Sequence, residues 1–286
     1  MASGLHRTKR RIQSVSSTQK ITKAMEMVAT VKLKRFRDSF EHASYYSSEL
    51  EGIIARAAKQ CKIAIPEAKE NEGVDSTCYL LITSDLGLCG SYNSELYRYL
   101  NERFNADKDI LYVLGEKGAT HYIKPDSLLK ASRAPEGMSL ELNPKVIRKT
   151  AEELHEEFLE KKFSKVVVIY THYVNSLRFE PSAFTLLPIS LHFEEEPYES
   201  YAPPIFEPSP EEFLKEKMGQ YLAGELYQKL GESELSEQAS RRNAMENAND
   251  NAEELLDKLK LEYNKARQAS ITQEITEVVN GANSAS

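Results

Sequence analysis

The chain has no tryptophan and only three cysteines, Cys61, Cys78 and Cys89, with no CxxC pair. That is too few thiols for a disulfide framework or a zinc site, and it points to a reducing compartment. Its apolar runs are short, as in Val166-Val167-Val168-Ile169, so no segment suits a bilayer crossing. The basic stretch from Met1 to Gln13 lacks the apolar core of a secretory signal. There is no GxxxxGK followed by Ser or Thr, and the six histidines show no metal-ligand spacing. No Ser/His/Asp order or carboxylate pair stands out. Catalytic machinery of its own is not expected, and neither is a cofactor.

Two further absences set the architecture. From Leu5 to Glu51 there are 47 residues without glycine or proline, and from Glu232 to Asn280 there are 49 more. All 11 prolines lie between Pro66 and Pro210. Breaker-free stretches of this length predict two helices far longer than ordinary ones. At about 1.5 Å rise per residue each would be a rod on the order of 70 Å. Met245, Ala248, Ala252, Leu255, Leu259 and Ala266 form a three-four seam in the second. Ile12, Val15, Ile21, Met25, Val28, Phe36, Phe40, Ala43, Leu50 and Ile54 form a looser stripe in the first. Such stripes are marginal alone and stable when paired. An antiparallel coiled coil between the two ends of the chain is therefore expected, against the alternative of two amphipathic helices on a globular core.

The middle alternates β-rich runs with helical patterns. Strands are expected at Cys78–Thr83, Ile110–Leu114 and Lys165–Tyr173, with a fourth, antiparallel one at Arg178–Ser190 after a turn at Asn175-Ser176. Helices are expected at Asn93–Phe104 and Pro144–Phe163, with Gly115–Gly118 as a turn. This is a mostly parallel, Rossmann-like α/β pattern. The turn after the first strand holds Gly87 and Gly90 but no GxGxxG, so it reads as a tight structural turn or, alternatively, a phosphate site. Cys89 reads as packed in that loop rather than as an activated thiol. Five prolines between Glu194 and Pro210 suggest an extended linker, and Pro210-Glu211-Glu212 suits a first helical turn. The expected divisions are residues 1–62 and 211–286 for the coiled coil, 75–195 for the α/β domain and 196–210 for the linker.

The net charge of −7 conceals a strong split. Residues 1–62 carry +8, residues 63–209 carry −9 and residues 210–286 carry −6. Within residues 1–37 there are ten basic residues and a single acidic one, Glu26. Arg7, Lys9, Arg10 and Arg11 point in different directions around a helix, and aromatics are absent until Phe36. A nucleic-acid binder would keep its charge on one side. Charge around the circumference suits a collar of partner subunits.

The segments Thr18-Gln19-Lys20-Ile21-Thr22-Lys23-Ala24-Met25-Glu26-Met27-Val28-Ala29 and Asn264-Lys265-Ala266-Arg267-Gln268-Ala269-Ser270-Ile271-Thr272-Gln273-Glu274-Ile275-Thr276-Glu277 closely resemble the two end signatures of F-type ATP synthase gamma subunits. Thr83-Ser84-Asp85-Leu86-Gly87-Leu88-Cys89-Gly90 is similar to that family's TSDRGLCG loop, with Leu86 where the family has Arg. Glu207-Pro208-Ser209-Pro210-Glu211 matches the entry to the last helix. With no long insertion carrying a cysteine pair, the resemblance is to the bacterial form.

The resemblance implies a non-catalytic central-stalk rotor inside a ring of three alpha and three beta subunits. It also implies a foot that meets the epsilon subunit and the membrane ring of c subunits, at the cytoplasmic face of the bacterial plasma membrane, without membrane insertion or nucleic acid. Ring contacts implied in this way are Lys20, Lys23, Met25, Lys32, Arg35, Arg241, Arg267, Gln268 and Thr272, with Lys34 beside them. Ile271, Ile275, Val278 and Val279 would turn within an apolar sleeve. Two rival readings are a static coiled-coil scaffold, which would form a homodimer, and a nucleotide-dependent enzyme using the Gly87–Gly90 turn.

Overall fold

A computed structural model describes residues 2–122, 131–133, 143–191, 206–207 and 209–284. Most of the expected proline-rich linker lies outside the described residues. The elements in chain order are α1 (Ala2–Cys61), β1 (Thr77–Ile82), α2 (Tyr92–Asn101), β2 (Ile110–Leu114), α3 (Glu116–Tyr122), β3 (Ala131–Arg133), α4 (Pro144–Leu159), β4 (Lys165–Tyr173), β5 (Phe179–Leu187) and α5 (Pro210–Ser284). They fall into two compact units, residues 31–240 and the pair 1–30 with 241–286.

In the unit of residues 31–240, five strands form one sheet in the order β3-β2-β1-β4-β5. The first four are parallel, and β5 returns antiparallel along β4. The return is set by Asn175, whose Oδ1 accepts the Leu177 and Arg178 amides at 2.9 Å each. β1 is buried along its whole length, as a central parallel strand must be. Its Cys78, Leu80 and Ile82 join Val166, Val168 and Tyr170 on one face. There they meet Leu50 and Ile54 of α1, Ile147, Leu154 and Phe158 of α4, and the start of α5. Tyr79 and Leu81, pointing the other way, join Val113 and Ile169 over Leu96 and Leu100 of α2. Each fully buried leucine contributes roughly 2 kcal/mol, so this double-faced sheet is the stability centre of the unit.

The two terminal helices also pair inside this unit, and their direction can be read from the contacts. Leu33 and Phe36 cluster with Leu235 and Ala239, Gln228 donates to Ser44 Oγ at 2.9 Å, and Ser47 donates to Glu225. Numbers rise on α1 as they fall on α5, so the pairing is antiparallel. α5 begins well before the breaker-free stretch and runs through Gly219, Gly224 and Gly231. An interior glycine costs a helix about 1 kcal/mol. Buried Leu214, Met218, Leu222, Leu226 and Leu230, spaced four apart, more than offset that cost.

The second unit, residues 1–30 with 241–286, is built on a true heptad seam. On α5, Met245, Asn249, Ala252, Leu256, Leu259 and Tyr263 are buried or half-buried at alternating steps of four and three. The expected seam is corrected here. Leu256 is 7% exposed and Leu255 37%, and Ala266 is exposed. On α1 the inward positions are Ile12, Val15, Gln19, Thr22, Glu26 and Ala29. Ile21 and Val28, expected inside, are 61% and 57% exposed. Met25 is half-buried, and the Ala43 side chain of the same expected stripe lies outside the described residues.

α3 and β3 were not expected. Gly115 does make a turn at φ +111°, but the helix starts at the next residue. β3 is three residues without a β-branched side chain, held by register with Leu111, Tyr112 and Val113.

One ion pair inside the sheet unit gives a pH dependence. Glu67 is buried beside His155, whose Nε2 lies 2.8 Å from Glu67 Oε1. Burial pushes the Glu67 carboxyl up, but the His155 hydrogen bond, a backbone hydrogen bond and the imidazole's charge outweigh it, and the net shift is down from 4.5. A depressed folded-state value stabilises the protein above the ordinary carboxylate range and is lost as pH falls through it. Glu67→Gln is therefore expected to cost about 1 kcal/mol at pH 7. Urea titrations should show the gap from the parent closing as pH falls below 4.5. A gap that stays constant or widens in acid would contradict this assignment.

Candidate functional site

The residues that could meet a partner lie on the two long helices. In the unit of residues 1–30 and 241–286, Lys20 and Lys23 are exposed on successive turns of α1. Lys23 Nζ reaches both Glu26 carboxylate oxygens at 3.1 Å. Lys23 is the exposed partner and Glu26 the half-buried one, and a pair whose cation is in water holds by about 1 kcal/mol or less. Met25 is half-buried beside the seam rather than presented fully outward.

On α5, Arg267, Gln268 and Thr272 are exposed on adjacent turns, and the Thr272 hydroxyl is turned back to Gln268 O at 3.0 Å. Beyond them Ile271, Ile275, Val278 and Val279 are large, apolar and exposed. No described residue of α5 after Leu259 is buried. Contiguous exposed apolar surface of this kind marks an interaction site. Arg241 departs from expectation: it is 7% exposed, so its guanidinium has little surface to offer a ring.

In the unit of residues 31–240, Arg35 and Lys34 are exposed and Lys32 is half-buried, one turn apart on α1. The loop after β1 is braced from within. Asn93 Oδ1 accepts the Ser84 amide at 3.1 Å while its amide nitrogen donates to Ser84 Oγ at 2.6 Å. Asp85 Oδ1 accepts the Glu116 amide at 3.1 Å, and Ser240 donates to Cys89 O at 2.6 Å. Cys89 is buried in this loop, as expected of a packed thiol. Leu86 and Leu88 stand out from the loop, exposed, with Leu88 at φ +63°.

Nearby, Tyr92 OH meets Ser233 Oγ at 2.7 Å, and Thr171 N and the Ser236 hydroxyl tie the end of β4 to α5. Burial, with the charge of Glu237, pushes the Tyr92 phenol well above its usual range, so it stays a neutral donor. These bonds fix α5 against the sheet through polar groups that the sequence pattern leaves looking like surface.

Sequence reasoning missed the outward apolar face of α1. Ile21, Met27 and Val28 are exposed beside Lys20 and Lys23. Ile21 and Val28 belong to the single stripe expected to face inward, and Met27 lies outside that stripe. Among the described residues no cluster of His, Cys, Asp or Glu could hold a metal ion, and no helix is long and apolar enough to cross a membrane.

Two helices this long, with apolar and basic residues left exposed on them, in a chain that also carries an α/β sheet, are the marks of a subunit with interaction surfaces on its helices. Comparison with known proteins agrees in detail. A family model described as ATP synthase matches residues 4–285. The ATP synthase gamma chain of Clostridium novyi is 37% identical over 287 residues, covering 98% of this chain and 97% of that one. That of Heliobacterium modesticaldum is 34% identical, with 98% of each covered. The chain belongs to the ATP synthase gamma-chain family.

Among solved structures, a chain of the Tetrahymena thermophila mitochondrial ATP synthase central stalk and c-ring shares 27% identity at a TM-score of 0.58, over 80% of this chain and 99% of that one. A chain of the Euglena gracilis mitochondrial ATP synthase shares the fold at a TM-score of 0.65 and 17% identity, over 99% and 95%.

Proposed function

We propose that this chain is the central-stalk rotor of an F-type ATP synthase, turning inside a ring of alpha and beta subunits and coupling ion flow to ATP synthesis and hydrolysis there. The observation that carries the reading is the uncovered apolar and cationic surface of α1 and α5 in a chain similar to gamma chains over almost its whole length. One shaft in a three-fold ring cannot present the same face to every beta subunit. Contacts that differ between the sites can bias each toward a different conformation.

Lys20, Lys23, Lys32 and Arg35 supply breakable charge contacts on α1, with Met25 beside them. Arg267, Gln268 and Thr272 supply hydrogen bonds near the tip of α5, and Ile271 to Val279 form its apolar bearing. Arg241 acts through packing. In this proposal residues 1–62 and 211–286 form the shaft, residues 75–195 the foot that meets epsilon and the c-ring, and residues 196–210 the link between them. The catalytic sites belong to the beta subunits, and the assembly stands at the cytoplasmic face of the plasma membrane.

Native purification through a tag on the full chain, read by mass spectrometry, tests this. Alpha and beta subunits in equal amounts, three of each per chain, are expected. Recovery of a homodimer, or of the chain without alpha and beta, would overturn the proposal and favour a static scaffold.

A further inference from the structure

Over residues 19–28, α1 is packed inside out. Gln19, Thr22 and Glu26 turn inward, while Ile21, Met27 and Val28 are exposed. The two faces are offset by two residues, about 200° at roughly 100° per residue. Burial of apolar surface alone would favour the opposite rotation.

The polar face is held by one residue of α5. Asn249 is buried at a heptad position otherwise filled by Met245, Ala252, Leu256 and Leu259. Its Oδ1 accepts the Thr22 hydroxyl, and its Nδ2 donates to Glu26 Oε2 at 2.6 Å. Glu26 is thereby held between Asn249 on the inside and Lys23 on the outside. A lone buried amide in a coiled-coil seam selects one arrangement among several, because any other leaves its donor and acceptor unmet.

We propose that Asn249 is the positioning residue that fixes which face of α1 is turned to α5, and so keeps Ile21, Met27 and Val28 available at the surface. Ile12 and Val15 hold the neighbouring turns inward, which confines the effect to this window. The proposal concerns these two helix segments alone and stands whether or not the rotor reading does.

The test uses two reporter cysteines in the full chain, Val28→Cys on the outer face and Ala29→Cys on the fully buried one, each followed by maleimide labelling and peptide-resolved mass spectrometry. With Asn249 in place, position 28 should label far faster than position 29. Asn249→Leu should shrink that ratio at least tenfold, while Asn249→Gln, which keeps the amide, should preserve it within about threefold. If Asn249→Leu does not fold, Asn249→Ala is read in the same way. An unchanged ratio in the folded Leu or Ala variant would overturn the proposal. Equal collapse in the Gln variant would also overturn it, since packing rather than the amide would then set the face.

Discussion

Gly115→Val is expected to abolish the cooperative unfolding transition of the α/β unit. Gly115 sits at φ +111°, where an L side chain is strained by about 1–3 kcal/mol. A Cβ there would lie 2.2 Å from Thr83 O and 2.4 Å from Thr83 Oγ1. Thr83 cannot retreat, because its amide donates to Leu114 O at 2.8 Å and its Oγ1 both donates to Leu114 O at 3.1 Å and accepts the Gly118 amide at 2.9 Å. Strain and clash together exceed about 4 kcal/mol, a large part of a domain's total stability of roughly 5–15 kcal/mol. Thermal unfolding followed by circular dichroism checks this. A Tm within a few degrees of the parent would mean that the turn at Gly115 yields to a side chain despite the close approach of Thr83.

Arg267→Glu is expected to reduce ATP synthesis by the assembled enzyme at least tenfold and to leave the Tm of the free chain unchanged. Arg267 is exposed on α5, so its replacement breaks no packing in the chain itself. At a partner surface, the loss of one charge-assisted hydrogen bond and the reversal of its sign together exceed about 1.4 kcal/mol, which is a factor of ten. Parallel assays of synthesis in reconstituted vesicles and of melting in the free chain separate the two effects. Normal synthesis in the variant would remove Arg267 from the proposed contact set, and a lowered Tm would make its role structural.

The parts of the fold legible in the sequence are those where a single periodicity dominates. Val166-Val167-Val168-Ile169 is an unbroken apolar run, and the strand expected around it at Lys165–Tyr173 is β4 at those bounds, while Pro210-Glu211-Glu212 opens α5 as expected. α3 was hidden because Gly115 looks like the end of an element, whereas it is the turn into one, and β3 because none of its three residues is β-branched. The coiled-coil seam was misread at particular residues. Leu255 and Leu256 are adjacent leucines, and only the step of four from Ala252 places the second inside. Ile21 and Val28 were placed inside on apolarity, yet Thr22, Glu26 and Asn249 satisfy one another and take the inward positions. The same mutual satisfaction hides Ser233 and Ser236 in the core. For the candidate site, the charge and the apolar Ile21 and Val28 are visible in the sequence, but the partner that covers them is not. Burial of Arg241 could not be foreseen from its neighbours Ser240 and Arg242.

Rotation of this chain within the ring can be watched on single complexes. A bead attached at Leu177→Cys, an exposed position on the β4–β5 turn, would be followed on ring complexes fixed to a surface and supplied with ATP. The bead is expected to turn in one direction, in steps of one third of a turn, at a rate set by ATP concentration. A complex that hydrolyses ATP at its full rate while the bead stands still would contradict the rotor proposal.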